Sequence, residues 1–110
     1  MSNIKLTVID FNKKPYGRYP EDGDGCGQYY REKILEPALR EYDKVNVILD
    51  GYNRYGRSFL DEAFGGLIRE SGFTGSEIKS KLTYSHSLVP SIIKVIDERI
   101  DAAIRDTKID

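Results

Sequence analysis

A serine hydroxyl, Ser58, follows a run in which aromatic and cationic side chains interleave: Tyr52, Arg54, Tyr55 and Arg57. Asp61 and Glu62 come about one helical turn later. Ser58 stands just ahead of an apolar helical stripe that starts at Phe59. It is expected to be the helix N-cap, worth about 1 kcal/mol, with Asp61 three residues on as a near capping box. The same hydroxyl is a kinase target by type. A phosphate there would be favoured by the helix dipole and would pair with Arg54 or Arg57. Tyr and Arg are enriched where proteins meet proteins, and they also stack on and hold single-stranded RNA. Asp61 and Glu62 suit the first turn of a helix and are expected to be exposed. The partner-binding surface is therefore placed on Tyr52, Arg54, Tyr55, Arg57, Asp61 and Glu62, with Ser58 as the phosphorylation site.

Other constellations carry less. Asp50 with Glu77-Ile78-Lys79 has the acid and Glu-x-Lys types of a metal-dependent nuclease, the carboxylates for Mg²⁺ and the lysine for the attacking group. That tripeptide is common by chance, and here it falls in an expected turn. Gly23-Asp24-Gly25-Cys26-Gly27 precedes a helix, as phosphate loops do, but matches neither the P-loop nor the dinucleotide fingerprint. It reads as a flexible turn. Asp22 and Asp24 do not complete a calcium loop, because Cys26 occupies a ligand position and no Glu closes it. His86 is the only histidine and Cys26 the only cysteine, so neither a metal site nor a Ser-His triad has support. Ser87 is the expected cap of the following helix, and Cys26, in a polar glycine loop, is expected at the surface. No catalytic residue, metal or cofactor is expected.

A chain of 110 residues predicts one domain, residues 1–110. Lys and Arg total 17 against 18 Asp and Glu, a formal net charge of −1. That balance argues against a dedicated nucleic-acid binder and favours the protein-interface reading of the Tyr/Arg loop. A single cysteine cannot form a disulfide framework and suits a reducing cytoplasm. MSNIKLTVIDF has no secretion-signal pattern, and no apolar run approaches the roughly 20 residues that span a bilayer. The expected location is cytoplasmic, with no membrane contact.

Several elements must position these residues. Ile4, Leu6 and Val8, then Ile9 and Phe11, predict a strand of about eight residues. Residues 12–27 are a long, turn-rich surface loop, part of which is expected to pair briefly with that strand. Gln28–Tyr42 carries Tyr30, Ile34, Leu35, Ala38, Leu39 and Tyr42 on one helical face, and Pro37 inside it predicts a kinked helix. Val45–Asp50 predicts a central strand covered on both faces. Ser58–Ser71 is the second helix, its stripe formed by Phe59, Leu60, Ala63, Phe64, Leu67 and Ile68. Gly72 is its left-handed stop. Gly65 and Gly66 predict close approach to a neighbour. Thr74–Glu77 starts a short helical turn, Lys81–Ser85 is a strand, and Pro90–Arg105 is the third helix. Its isoleucine face leaves a homodimer open. Strands alternating with helices imply an α/β fold: a single small domain, a mostly parallel sheet with helices packed on it.

The stretches ILDGYNRYGRSFLDEAFGGLIRE and GDGCGQYYREKIL resemble the STAS-like domain family, a bacterial group of unknown function. The family shows a hydrophobic strand, a short loop and a Ser-Phe-x-x-Glu-x-Phe helix where this chain has the first stretch. The resemblance implies a STAS-like fold, distantly similar to anti-anti-sigma factors. In those, a serine at the start of the equivalent helix is phosphorylated by an ATPase-type kinase, which turns off binding to that kinase. Ser58 is the position that would carry the role. The chain departs from the anti-anti-sigma Asp-Ser-(Ser/Thr)-Gly run, having Gly56-Arg57-Ser58-Phe59 instead. The implied function is a non-enzymatic, regulatory, protein-binding domain that switches partners with an ATPase or another signalling protein. The alternatives are an RNA or single-strand binding module using the Tyr/Arg loop and, behind it, the metal-dependent nuclease.

Overall fold

The computed structural model describes residues 2–107. Three strands, β1 (Asn3–Thr7), β2 (Lys44–Ile48) and β3 (Leu82–Ser85), form one parallel sheet in the order β1-β2-β3. The register pairs Leu6 with Val47 and Val47 with Tyr84. β1 is shorter than the alternation predicts. At Val8 the chain turns into a one-turn helix, α1 (Val8–Phe11), and Val8 is buried there.

Between β1 and β2 runs a continuous helical stretch, α2 (residues 27–41). It comprises Gly27–Tyr30, a π-turn at Arg31–Leu35, and Glu36–Glu41. The wider π-turn lies just ahead of Pro37, whose ring and missing N–H interrupt an ordinary helical ladder. After β2 comes α3 (residues 57–69), again interrupted by a π-turn, at Asp61–Gly65. It stops at Gly72, which has φ +85°. The short α4 (Gly75–Lys81) opens with a capping box: Glu77 N–H donates to Thr74 Oγ1 at 3.1 Å, and Thr74 N–H donates to Glu77 Oε1 at 2.9 Å. α5 (Pro90–Thr107) closes the described chain.

Both crossovers step the same way across the sheet, so right-handed connections place their helices on one face. Val45, Val47 and Leu49 are buried beneath those helices, while Lys44 is exposed and Asn46 donates to Thr83 Oγ1 at 2.7 Å. β2 is therefore covered on one face, not two, and its other face carries Lys44, Asn46 and the half-buried Ile48. The isoleucine face of α5 is used within the chain: Ile92, Ile96 and Ile100 belong to the core, and Ile93 and Ile104 pack against it.

α3 is the centre of this layer. Residues 59–68 are buried without a break, because α2 lies on one side of the helix and α5 on the other. Gly27 allows the first contact, since a Cβ there would sit 2.6 Å from the Phe59 carbonyl oxygen. Gly66 leaves the space that the Arg31 guanidinium fills. No helix among the described residues is long and apolar enough to cross a membrane.

Candidate functional site

The loops at the carboxyl ends of β1 and β2 face each other. This is where ligands bind in open α/β sheets. Residues 12–26 do not pair with β1. They close on themselves and on α2: Tyr16 N–H donates to Gly25 O at 2.9 Å, Gly27 N–H to Gly17 O at 2.9 Å, and Gln28 N–H to Arg18 O at 3.1 Å. Asp22 Oδ2 accepts from the Arg18 N–H at 3.0 Å. The glycine run is thus held in place, and Cys26, expected outside, is fully buried at the start of α2.

A groove runs between this loop and the β2–α3 connection. One hollow, of about 390 Å³, lies among Asn12, Lys14, Tyr16, Asp24 and Tyr52. A second, of about 320 Å³, lies among Tyr16, Gly56, Arg57, Ser58 and Phe59. Tyr16 and Asp22 line both, so the two adjoin.

Ser58 is not the helix cap. α3 starts one residue earlier, with Gly56 in extended backbone (φ −82°, ψ 154°) at the N-cap and no side-chain cap bond. Ser58 then stands inside the first turn, and the expected capping box with Asp61 does not form. Its hydroxyl is exposed and makes no hydrogen bond among the described residues. Arg54 and Arg57 are exposed as well. Tyr52 is half-buried. Tyr55 is a packing residue as much as a surface one: its hydroxyl donates to Leu49 O at 3.0 Å, and its ring contacts Tyr52, Phe59 and His86.

Asp61 and Glu62 overturn their expected role. They are 8% and 5% exposed. Asp61 receives Arg18 at 2.7 Å and Arg69 at 3.1 Å, with Arg99 at 3.6 Å. Glu62 receives Arg31 at 2.5 Å and Arg18 at 3.4 Å. Burial would raise the Asp61 carboxyl, but hydrogen bonds and charge from Arg18 and Arg69 outweigh it and hold it below the usual carboxylate range. Burial would likewise lower Arg18, and Asp61 and Glu62 reverse that. Sequence reasoning missed this network. The available signals were the Gly65-Gly66 pair, which requires close neighbours, and Arg31 beside Tyr30 and Leu35 on an otherwise apolar face.

The remaining candidates do not converge. Asp50 accepts from the Ser87 hydroxyl and from its N–H at 3.2 Å, and these bonds lower its pKa. Ser87 therefore ties two loops together and does not cap α5. Glu77 is occupied by the capping box, and Lys79 pairs with Asp101 at 3.1 Å. The nuclease grouping of Asp50, Glu77 and Lys79 is not assembled. Among the described residues no three His, Cys, Asp or Glu side chains are placed to hold a metal. His86 is buried. Its Nδ1 accepts the N–H groups of Leu88 and Val89, both at 3.1 Å, so Nε2 carries the proton given to Tyr52 O at 2.9 Å. It pins the loop after β3 to the loop after β2, with neither nitrogen left for Ser87.

The three-stranded parallel sheet with its helices agrees with one family description. The model for the STAS-like domain of unknown function (DUF4325) matches residues 27–90, more than half of the chain. The chain belongs to that family. No curated protein and no solved structure gives a significant match. The matched region of this STAS-like domain begins at Gly27, so α2, β2, the Ser58 turn, α3 and β3 lie inside it, whereas β1, the glycine loop and most of α5 lie outside. The groove thus joins one wall from within the family region to one wall from beyond it.

Proposed function

We propose that this STAS-like domain is a non-enzymatic regulatory module. It binds a signalling protein, an ATPase of the anti-sigma-kinase kind, through the groove between residues 12–25 and 50–58. Ser58 is its regulated hydroxyl. The observation that carries this reading is that Ser58 has no task in the fold. It is exposed, caps nothing, and stands in the wall of the groove beside Arg57. Tyr16 and Tyr19, at 62% and 46% exposure, add accessible aromatic surface to the opposite loop, as protein interfaces favour. A phosphate on Ser58 would sit at the positive end of α3 and change the charge of the groove.

The test is affinity capture from the host lysate with the tagged chain, run in parallel with Ser58→Asp and Arg57→Glu. A protein held in stoichiometric amount by the parent and released by both variants supports the reading. Equal retention by Ser58→Asp contradicts the switch. Recovery of nucleic acid alone, falling steeply with salt, favours the Tyr/Arg-loop alternative.

A further inference from the structure

The second turn of α3 gathers more positive charge than its carboxylates need. Glu62 is matched on the inner side by Arg31 at 2.5 Å. Asp61 is met by three guanidinium groups from three parts of the chain: Arg18 of the glycine loop, Arg69 of α3 and Arg99 of α5. Arg69 alone satisfies Asp61 with a two-pronged grip, Nη1 to Oδ1 at 3.2 Å and Nη2 to Oδ2 at 3.1 Å. Arg99 adds no hydrogen bond: its one polar contact among the described residues is Asp61 Oδ1 at 3.6 Å. Arg18 uses only Nη1, leaving Nε and Nη2 unengaged among the described residues. The side chains of Arg18, Arg69 and Arg99 are 30%, 24% and 22% exposed, so the cluster reaches solvent. Gly65 keeps room for it, because a Cβ there would lie 2.8 Å from Arg69 Nη1 and 3.2 Å from Asp61 Oδ1. Arg18 is shared with Glu62 at 3.4 Å, and Arg31 with Glu36 and Glu32 at 3.6 and 3.7 Å. Arg69 and Arg99 both rely on Asp61, so the outer side of the cluster keeps an excess of positive charge, on a chain whose formal net charge is −1.

We propose that Arg18, Arg69 and Arg99 form a binding site for a phosphate dianion. Its charge matches the excess, and its several oxygens match the forked donors that Arg18 and Arg99 leave unused. Free phosphate and a phosphomonoester carry the same chemistry. The site does not depend on the partner-binding reading of the groove, and the two can fail separately.

The experiment is thermal unfolding of the full chain at pH 7.5 and constant ionic strength, titrated with inorganic phosphate and, separately, with adenosine monophosphate. ³¹P line broadening provides the direct readout. A saturable rise in midpoint that chloride does not reproduce is expected. Arg99→Gln weakens it at least about tenfold, the worth of one charge-assisted hydrogen bond. Arg99→Lys, which keeps the charge without the fork, falls between and serves if the glutamine variant does not fold. Arg105→Gln, exposed on the same helix, leaves it unchanged. Tighter response to the nucleotide assigns a phosphomonoester, and tighter response to inorganic phosphate assigns the free ion. No saturable response to either, or one that both Arg99 variants preserve, overturns the proposal.

Discussion

Two consecutive turns of α3 carry polar side chains with opposite fates. In the first, Arg57 and Ser58 are exposed, and the serine hydroxyl bonds to nothing among the described residues. In the second, Asp61 and Glu62 are buried and held by four arginines. The difference comes from neighbours, not from residue type. The first turn projects past the sheet into the groove. The second is enclosed by α2, α5 and the glycine loop, which delivers Arg18. A buried carboxylate is tolerable only with such partners. Polarity alone therefore does not locate an interface on this helix, and the side chains without a structural task are the better guide.

The contrast breaks most heavily at Glu62. Glu62→Ala removes the shortest partner of the buried Arg31, leaving it Glu36 at 3.6 Å and Glu32 at 3.7 Å, and is expected to cost about 3 kcal/mol, the low end for breaking a buried pair, read from urea unfolding. Gly27→Ala comes next. Its methyl meets a backbone carbonyl of α3, so α2 must move away, for about 1–3 kcal/mol. The third effect is acid sensitivity. Asp61 is held below its unfolded value, so its contribution is fully present above about pH 4 and is lost as pH falls through the lower, folded value. Urea midpoints measured from pH 7 downward should fall below pH 4 in the parent, and Asp61→Asn should flatten that fall. The smallest effect has the opposite sign. The Tyr30 hydroxyl is buried with no hydrogen-bond partner among the described residues, and burial pushes its pKa up. Tyr30→Phe is expected to be neutral or stabilising by up to about 1 kcal/mol, visible as an unchanged or raised melting temperature.

Much of the fold was legible. The apolar periods of α2, α3 and α5 and the strands at residues 44–48 and 82–85 follow from residue spacing, as does the Gly72 stop. Three features were not. Val8 continues a strand pattern, yet it turns into α1 because its burial is satisfied there. Val45–Leu49 reads as apolar on both sides, but Asn46 faces solvent across from Thr83. Gly56 displaced Ser58 as the cap, a two-residue shift that spacing cannot resolve when glycine is tolerated there. The burial of Asp61 and Glu62 depends on Arg18 and Arg31, which lie 30 or more residues away in sequence, as well as on Arg69 of the same helix, so no local pattern announces it. At the site, Tyr52, Arg54, Arg57 and Ser58 were placed on the surface from residue type, and the facing wall, Lys14 and Tyr16, was not identified.

The most direct test of the account is the urea unfolding free energy of Ser58→Asp beside the parent at neutral pH. A hydroxyl free of the fold predicts a change within about 0.5 kcal/mol, tilted toward stabilisation by the α3 dipole. A loss above about 1 kcal/mol would mean that Ser58 serves the fold after all, and the groove would lose the observation on which its regulatory reading rests.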